Sequence, residues 1–190
     1  MRIAVIGTGN IGGSLGAKWR AAGYDVVFGS RTPTSDGPGG APVGSVADAI
    51  AGADLVLLAV PGPAVAELMS GNREALAGKI IIDATNSIGA AEFNSRAAVT
   101  SSAPGAKYAR AFNTLGWENF VQPPAGAALF FAADADARAA TEELITATGL
   151  EPVFVGDADA AGTVDCLLPL WFALVQQQGG DRKLAFRVVR

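Results

Sequence analysis

At 190 residues, half of them hydrophobic and 17% charged, the chain predicts one well-buried domain rather than disorder. With no histidine and Cys166 as its single cysteine, it excludes His-based acid–base chemistry, a Ser-His-Asp triad, an internal disulfide and a cysteine-built metal site. That leaves positioning or a cofactor to carry any reaction, and it suits the reducing cytoplasm. A net charge of −4 without a Lys/Arg cluster speaks against nucleic acid or membrane as partner, and neither a membrane-length apolar run nor a leader pattern is read.

In chain order, residues 3–6 form a buried-type strand that runs into Gly7-x-Gly9-x-x-Gly12. A helix over 10–22 follows, with Ile11, Leu15 and Trp19 on one face and Gly23 as its stop. Residues 24–29 are a second strand, and 32–44 a flexible Gly/Pro loop with a minimal strand at Val43. Ser45 caps a short helix with Asp48 in its first turn, ending at Gly52. Residues 54–60, apolar on both faces, read as a central parallel strand. Pro63 opens a helix carrying Val65, Leu68 and Met69, and 79–84 is another buried strand.

A helix is expected over 92–103, strands over 108–112 and 128–133, a helix over 136–148 and a last strand over 151–155. The longest helix spans 159–178, with Cys166 read as a buried small hydrophobe, and Gly179-Gly180 stops it. This alternation predicts an α/β fold, a doubly wound, mostly parallel sheet of Rossmann type. Residues 1–157 are the expected nucleotide-binding domain, and 158–190 a helical extension packed on it. That extension is apolar around much of its circumference and needs a covering surface, on its own sheet or on a second copy in a homodimer.

The glycines point to a dinucleotide. Gly7 permits the tight turn, Gly9 lets backbone approach a pyrophosphate, and Gly12 lets helix and strand pack closely. Unpaired helix N–H groups and the positive dipole end would hold the phosphates. The second strand ends in Gly29-Ser30-Arg31-Thr32, with no carboxylate before Asp36. A carboxylate there would favour NAD; the Ser30 hydroxyl and the Arg31 fork instead match a ribose 2′-phosphate, hence NADP(H).

With these residues the chain resembles the F420-dependent NADP oxidoreductase family. The likeness rests on Gly7-Thr8-Gly9-Asn10-Ile11-Gly12, Gly29-Ser30-Arg31, Ala59-Val60-Pro61, Asp83-Ala84-Thr85-Asn86 and Ala111-Phe112-Asn113-Thr114, and extends to Pro169-Leu170 and Leu184-Ala185-Phe186. The resemblance implies that Thr8, Gly9, Asn10 and Ile11 wrap the pyrophosphate and that Ser30 and Arg31 take the 2′-phosphate. It implies that Val60, Pro61, Ala84 and Thr85 wall the nicotinamide, with Asn113, Thr114, Leu115 and Gly116 where a second ring stacks. Asn113-Thr114 stands where deazaflavin-reducing members carry His-Thr, and Asn86-Ser87 where many relatives have Asn-Pro.

The implied activity is hydride transfer between NADPH and coenzyme F420, an 8-hydroxy-5-deazaflavin, or a related flavin. The alternatives are an NADPH:flavin reductase and a non-catalytic NADP-binding or redox-sensing module. A hydroxyacid dehydrogenase or imine reductase starts the same way but needs a large helical second domain, for which the stretch after Val155 is short. No acid–base residue is named. Leu115, Trp117, Leu184 and Phe186 are either cover for the second ring or plain core, and Asp83 is expected to brace the turn that follows it.

Overall fold

The computed structural model describes residues 1–189. Eight strands, β1 (Arg2–Ile6), β2 (Asp25–Gly29), β3 (Val43–Gly44), β4 (Leu55–Leu58), β5 (Ile80–Asp83), β6 (Lys107–Arg110), β7 (Ala128–Ala133) and β8 (Glu151–Gly156), form one sheet. Their order is β3-β2-β1-β4-β5-β6-β7-β8. The first six run parallel, with Ile3 opposite Val26 on one side and Leu55 on the other. Because successive side chains alternate faces, Ile3, Val5, Leu55 and Leu57 enter one core while Ala4, Ile6, Val56 and Leu58 enter the other.

Helices cover both faces. On one lie α1 (Asn10–Ala21), α6 (Glu118–Val121), α7 (Ala135–Ala147) and α9 (Leu167–Gln177), contributing Leu15, Trp19, Phe120, Leu144, Ile145, Trp171 and Val175. On the other lie α2 (Val46–Ala51), α3 (Val65–Gly71), α4 (Arg73–Leu76), α5 (Arg96–Ser102) and α8 (Ala161–Asp165), contributing Ile50, Val65, Met69, Leu76, Val99 and Ala161. Ser45 caps α2 as expected, its hydroxyl accepting from the Asp48 N–H at 3.1 Å. The fold is the doubly wound α/β sheet that the order of elements predicts.

The sheet is mostly parallel, as expected: β7 pairs with β6 antiparallel (Ala109 opposite Ala133), so β7 and β8 run against the other six strands. Other expectations are corrected. The stretch after β8 is not one helix: a 3-10 turn at Ala158–Ala160 precedes α8, and the chain bends at Cys166 before α9. Pro169 causes the bend, since it has no N–H for the Asp165 carbonyl and its ring crowds that carbonyl. The bend leaves Cys166 exposed, not buried.

Taken end to end, residues 158–177 are long and apolar enough to cross a membrane by length and composition, contrary to the reading above. In the fold that stretch is bent, and its Asp165 is tied into the domain. The 32–44 loop is anchored in its second half, while residues 32–36 stay exposed. Its 3-10 turn Pro38–Gly40 lies on α1, where a Cβ on Gly13 would come within 3.2 Å of the Pro38 ring, and Ala41 is fully buried.

Candidate functional site

The β1–α1 turn is built on glycines with no room for side chains. Gly7 sits at φ 113°, and a Cβ there would lie 2.4 Å from the Ala59 carbonyl oxygen. A Cβ on Gly12 would lie 2.1 Å from the Gly7 carbonyl oxygen, so helix and strand touch backbone to backbone. Gly9 differs: it is the helix N-cap, and a Cβ there would meet nothing within 4 Å. No side chain caps this end and no acidic residue lies in the first turn. Among the described residues the N–H groups of Asn10, Ile11 and Gly12 find no acceptor in the chain. Thr8, Gly9 and Asn10 are exposed and Ile11 half-buried. This open set of amide donors at a dipole's positive end fits an anionic group.

Beside it a cavity of about 400 Å³ is lined by Thr8, Ser30, Thr32, Thr34, Asp36, Gly37, Pro38 and Val43. The Ser30 hydroxyl accepts from the Thr32 N–H (3.1 Å) and reaches the Thr32 carbonyl (3.2 Å), which fixes the turn after β2. Arg31 is exposed and outside that lining. Asp36, the carboxylate that the sequence puts out in the loop, is brought onto the cavity wall.

On the other side of the glycine turn, the Val60 side chain approaches Gly7, within 3.4 Å of where its Cβ would be. Pro61 is exposed, and Gly62 abuts Ser87, leaving no space for a Cβ. The Asn86 side chain donates to the Asn113 carbonyl at 2.9 Å, joining the ends of β5 and β6. Ala84, Thr85, Asn113, Thr114 and Leu115 are all buried. The Thr85 hydroxyl is engaged by Asp83 (2.6 Å) and Ser95 (2.8 Å), so its hydrogen bonds run into the protein.

Phe112 turns the chain into this segment at φ 64°, a left-handed conformation that costs about 1–2 kcal/mol in a non-glycine residue. Its ring is held edge-on by Trp19 (5.6 Å) and Phe120 (5.8 Å). The C-terminal tail packs on the residues that follow: Asn119 donates to the Arg182 carbonyl (3.0 Å), and a Cβ on Gly116 would lie 2.5 Å from that oxygen. Trp117, Leu184 and Phe186 are partly buried against the core.

A buried polar network behind these walls went unread in the sequence. Arg110, fully buried, places Nε and Nη2 each 2.7 Å from Asp165 Oδ1. Its Nη1 donates to the carbonyls of Asp83 (3.1 Å) and Thr85 (2.6 Å) and lies 3.3 Å from Asp83 Oδ1; Nη2 donates to Asn86 Oδ1 (2.9 Å). Asp83 does brace its turn, accepting from the Thr85 N–H (2.9 Å), the Ser95 N–H (2.6 Å) and the Tyr108 hydroxyl (2.8 Å). The available signal was an arginine between Ala109 and Ala111 in an apolar strand, and a carboxylate in an apolar helix. Each alone implies a buried counter-charge.

Burial, then the Asp83 charge, raises the Tyr108 hydroxyl well above its usual 10, against the lowering effect of Arg110. The hydrogen bond to Glu143, then burial, pushes Tyr24 up to about 12. Both raised values favour the protonated phenol in the folded state, so this contribution is complete below about pH 10 and fades as pH climbs through the folded values. As these are the only two tyrosines, spectrophotometric titration of the folded protein should show no phenolate step near pH 10. A step there would mean that the Tyr24–Glu143 hydrogen bond or the burial of Tyr108 does not hold in solution.

A glycine turn delivering free helix amides at the carboxyl edge of a parallel sheet defines a dinucleotide-binding α/β domain. Residues 2–87 match the family described as NADP oxidoreductase, coenzyme F420-dependent, and that stretch of the chain belongs to it. A solved structure provisionally described as an F420-dependent NADP reductase, from Arthrobacter sp. FB24, is 26% identical with a TM-score of 0.87, each chain covered to 100%. A hypothetical protein from Sinorhizobium meliloti is 30% identical over 85% of this chain and 88% of its own, with a TM-score of 0.71. A reductive aminase from Aspergillus terreus, solved with NADPH and ethyl-5-oxohexanoate, shares the fold at 22% identity and a TM-score of 0.75. This chain spans 62% of that enzyme's length and is itself covered to 94%.

Proposed function

We propose that the protein transfers a hydride between NADPH and a deazaflavin of the coenzyme F420 type, or a related flavin. The observation that carries the reading is the open amide set of α1 above the unfilled space at Gly9. Gly7, Thr8, Gly9, Asn10, Ile11 and Gly12 bind the pyrophosphate through backbone N–H groups; Ser30 and Arg31 meet the 2′-phosphate at the rim of the adjoining cavity. Val60, Pro61, Ala84 and Thr85 wall the nicotinamide on one side, and Asn113, Thr114 and Leu115 on the other. Paired rings supply the redox chemistry, and the chain supplies orientation and exclusion of water, which a site without histidine can do. The lone cysteine suits the cytoplasm, and the exposed Leu170 and Phe172 on α9 suit a homodimer contact.

Calorimetry with NADPH and NADH tests the nucleotide; mixing NADPH with a deazaflavin, FMN or FAD and following each chromophore tests the acceptor. Bleaching of the deazaflavin supports the reading. Turnover with FMN or FAD alone makes the protein a flavin reductase. Binding without turnover favours a non-catalytic module, a reading supported by the burial of Asn113, Thr114 and Leu115.

Arg31 is the cation next to Ser30 in the chain, and the reading gives it the 2′-phosphate. Arg31→Ala should cost about 1.5–3 kcal/mol of NADPH binding and leave NADH nearly unchanged. Equal losses for both in calorimetry would remove Arg31 from that role.

A further inference from the structure

We propose that Asp36 is a second specificity residue of the nucleotide site, one that favours the ribose 2′-hydroxyl of NAD(H) and opposes the 2′-phosphate that Arg31 attracts. The inference rests on the nucleotide reading above. Thr8 belongs both to the glycine turn and to the wall of the cavity of about 400 Å³ beside it. A dinucleotide whose pyrophosphate lies on the α1 amides therefore extends its adenosine half into that cavity. Thr8, Ser30, Thr32 and Thr34 line it with hydroxyls, and among the described residues Asp36 is the one charged group in the lining. Arg31, exposed, stands outside it. The wall is thus negative. A phosphomonoester carrying about −2 is repelled by such a wall, whereas a ribose diol donates hydrogen bonds to a carboxylate.

Packing brings Asp36 back to the site although it stands seven residues past Gly29, the end of β2. Gly37, the next residue, has no room for a Cβ, which would lie 2.5 Å from Val43 Cγ2 and 3.3 Å from the Phe28 ring. Its N–H donates to the carbonyl of fully buried Ala41 at 2.9 Å. Asp36 therefore sits one residue ahead of an anchored turn rather than in free loop. The Ser35 hydroxyl donates to its Oδ2 at 3.2 Å, and Oδ1 has no partner among the described residues. No Lys or Arg among them pairs with this carboxylate, so nothing nearby offsets its charge. A carboxylate merely solvated at the surface would leave both nucleotides unaffected.

The test titrates NADPH and NADH by calorimetry against wild type, Asp36→Asn and Asp36→Ala. Asparagine removes the charge and keeps the shape, so NADPH should bind about five- to tenfold tighter at low salt, a gain that shrinks as salt rises. NADH, with a weaker acceptor for its 2′-hydroxyl, should bind about two- to fivefold less tightly, and less tightly still in Asp36→Ala. Adenosine 2′,5′-bisphosphate, which has no nicotinamide, should gain in Asp36→Asn as NADPH does, placing the effect at the adenylate end. A damaged fold weakens both nucleotides; opposite signs are the mark of a specificity residue. Unchanged affinities in the variants, or changes of one sign for NADPH and NADH, would overturn the proposal and leave the nucleotide reading standing. A wild type that binds neither nucleotide would overturn that reading, and this one with it.

Discussion

Replacing Asp83 with asparagine is expected to lower folding stability by about 3–5 kcal/mol, seen as a lower urea midpoint at unchanged slope. Asp83 is fully buried and uses both oxygens: Oδ1 for Thr85 and Arg110, Oδ2 for Ser95 and Tyr108. An asparagine must present an NH₂ group to one of those sets of donors. Arg110 keeps Asp165 as its counter-charge, so the loss comes from the misplaced NH₂ group and from weakening several charge-assisted hydrogen bonds to one buried carboxylate, each worth about 1.5–3 kcal/mol. Tyr108→Phe, which removes a single donor from the same carboxylate, should cost only about 1 kcal/mol. A loss for Asp83→Asn as small as that for Tyr108→Phe would mean that water reaches the network.

The contrast between what the sequence disclosed and what it hid follows from the range of the forces involved. The β1–turn–α1 unit is local: strand pattern, glycine spacing and helix period all lie within residues 2–21, and each has its own signature. The Ser45 cap was legible for the same reason. Strand direction leaves no such mark. β7, buried on both faces like a parallel strand, runs antiparallel to β6 because the 111–127 connection returns at the same end of the sheet.

The break before α9 was available in principle. The clash of Pro169 falls four residues back, at Asp165, and the apolar run concealed it. Hardest to see was the pairing of Arg110 with Asp165, since partners 55 residues apart are joined only by the tertiary fold. The same limit applies to the site. Its glycines are readable one by one, whereas the burial of Asn113 depends on partners far away in sequence, Asn86 and Asp165. The sequence therefore discloses the anion-binding half of the site and withholds the wall that would meet the nicotinamide.

Gly9→Val should abolish binding of NADPH and NADH alike while leaving the fold almost intact. Gly9 has φ −71° and ψ −171°, an extended conformation that valine adopts, and its Cβ would point into open space. The fold should lose no more than about 1 kcal/mol at this cap. The side chain would instead occupy the space that a pyrophosphate needs. Losing two charge-assisted amide contacts at about 1.5–3 kcal/mol each weakens binding by at least about a hundredfold.

The outcome separates Gly9 from its neighbour. Gly12→Val drives a Cβ onto the Gly7 carbonyl, so it should lose stability and binding together. It also separates Gly9 from Arg31, whose removal should spare NADH. If Gly9→Val kept wild-type affinity in calorimetry, the phosphates would have to lie elsewhere, and the free amides of Asn10, Ile11 and Gly12 would need another ligand.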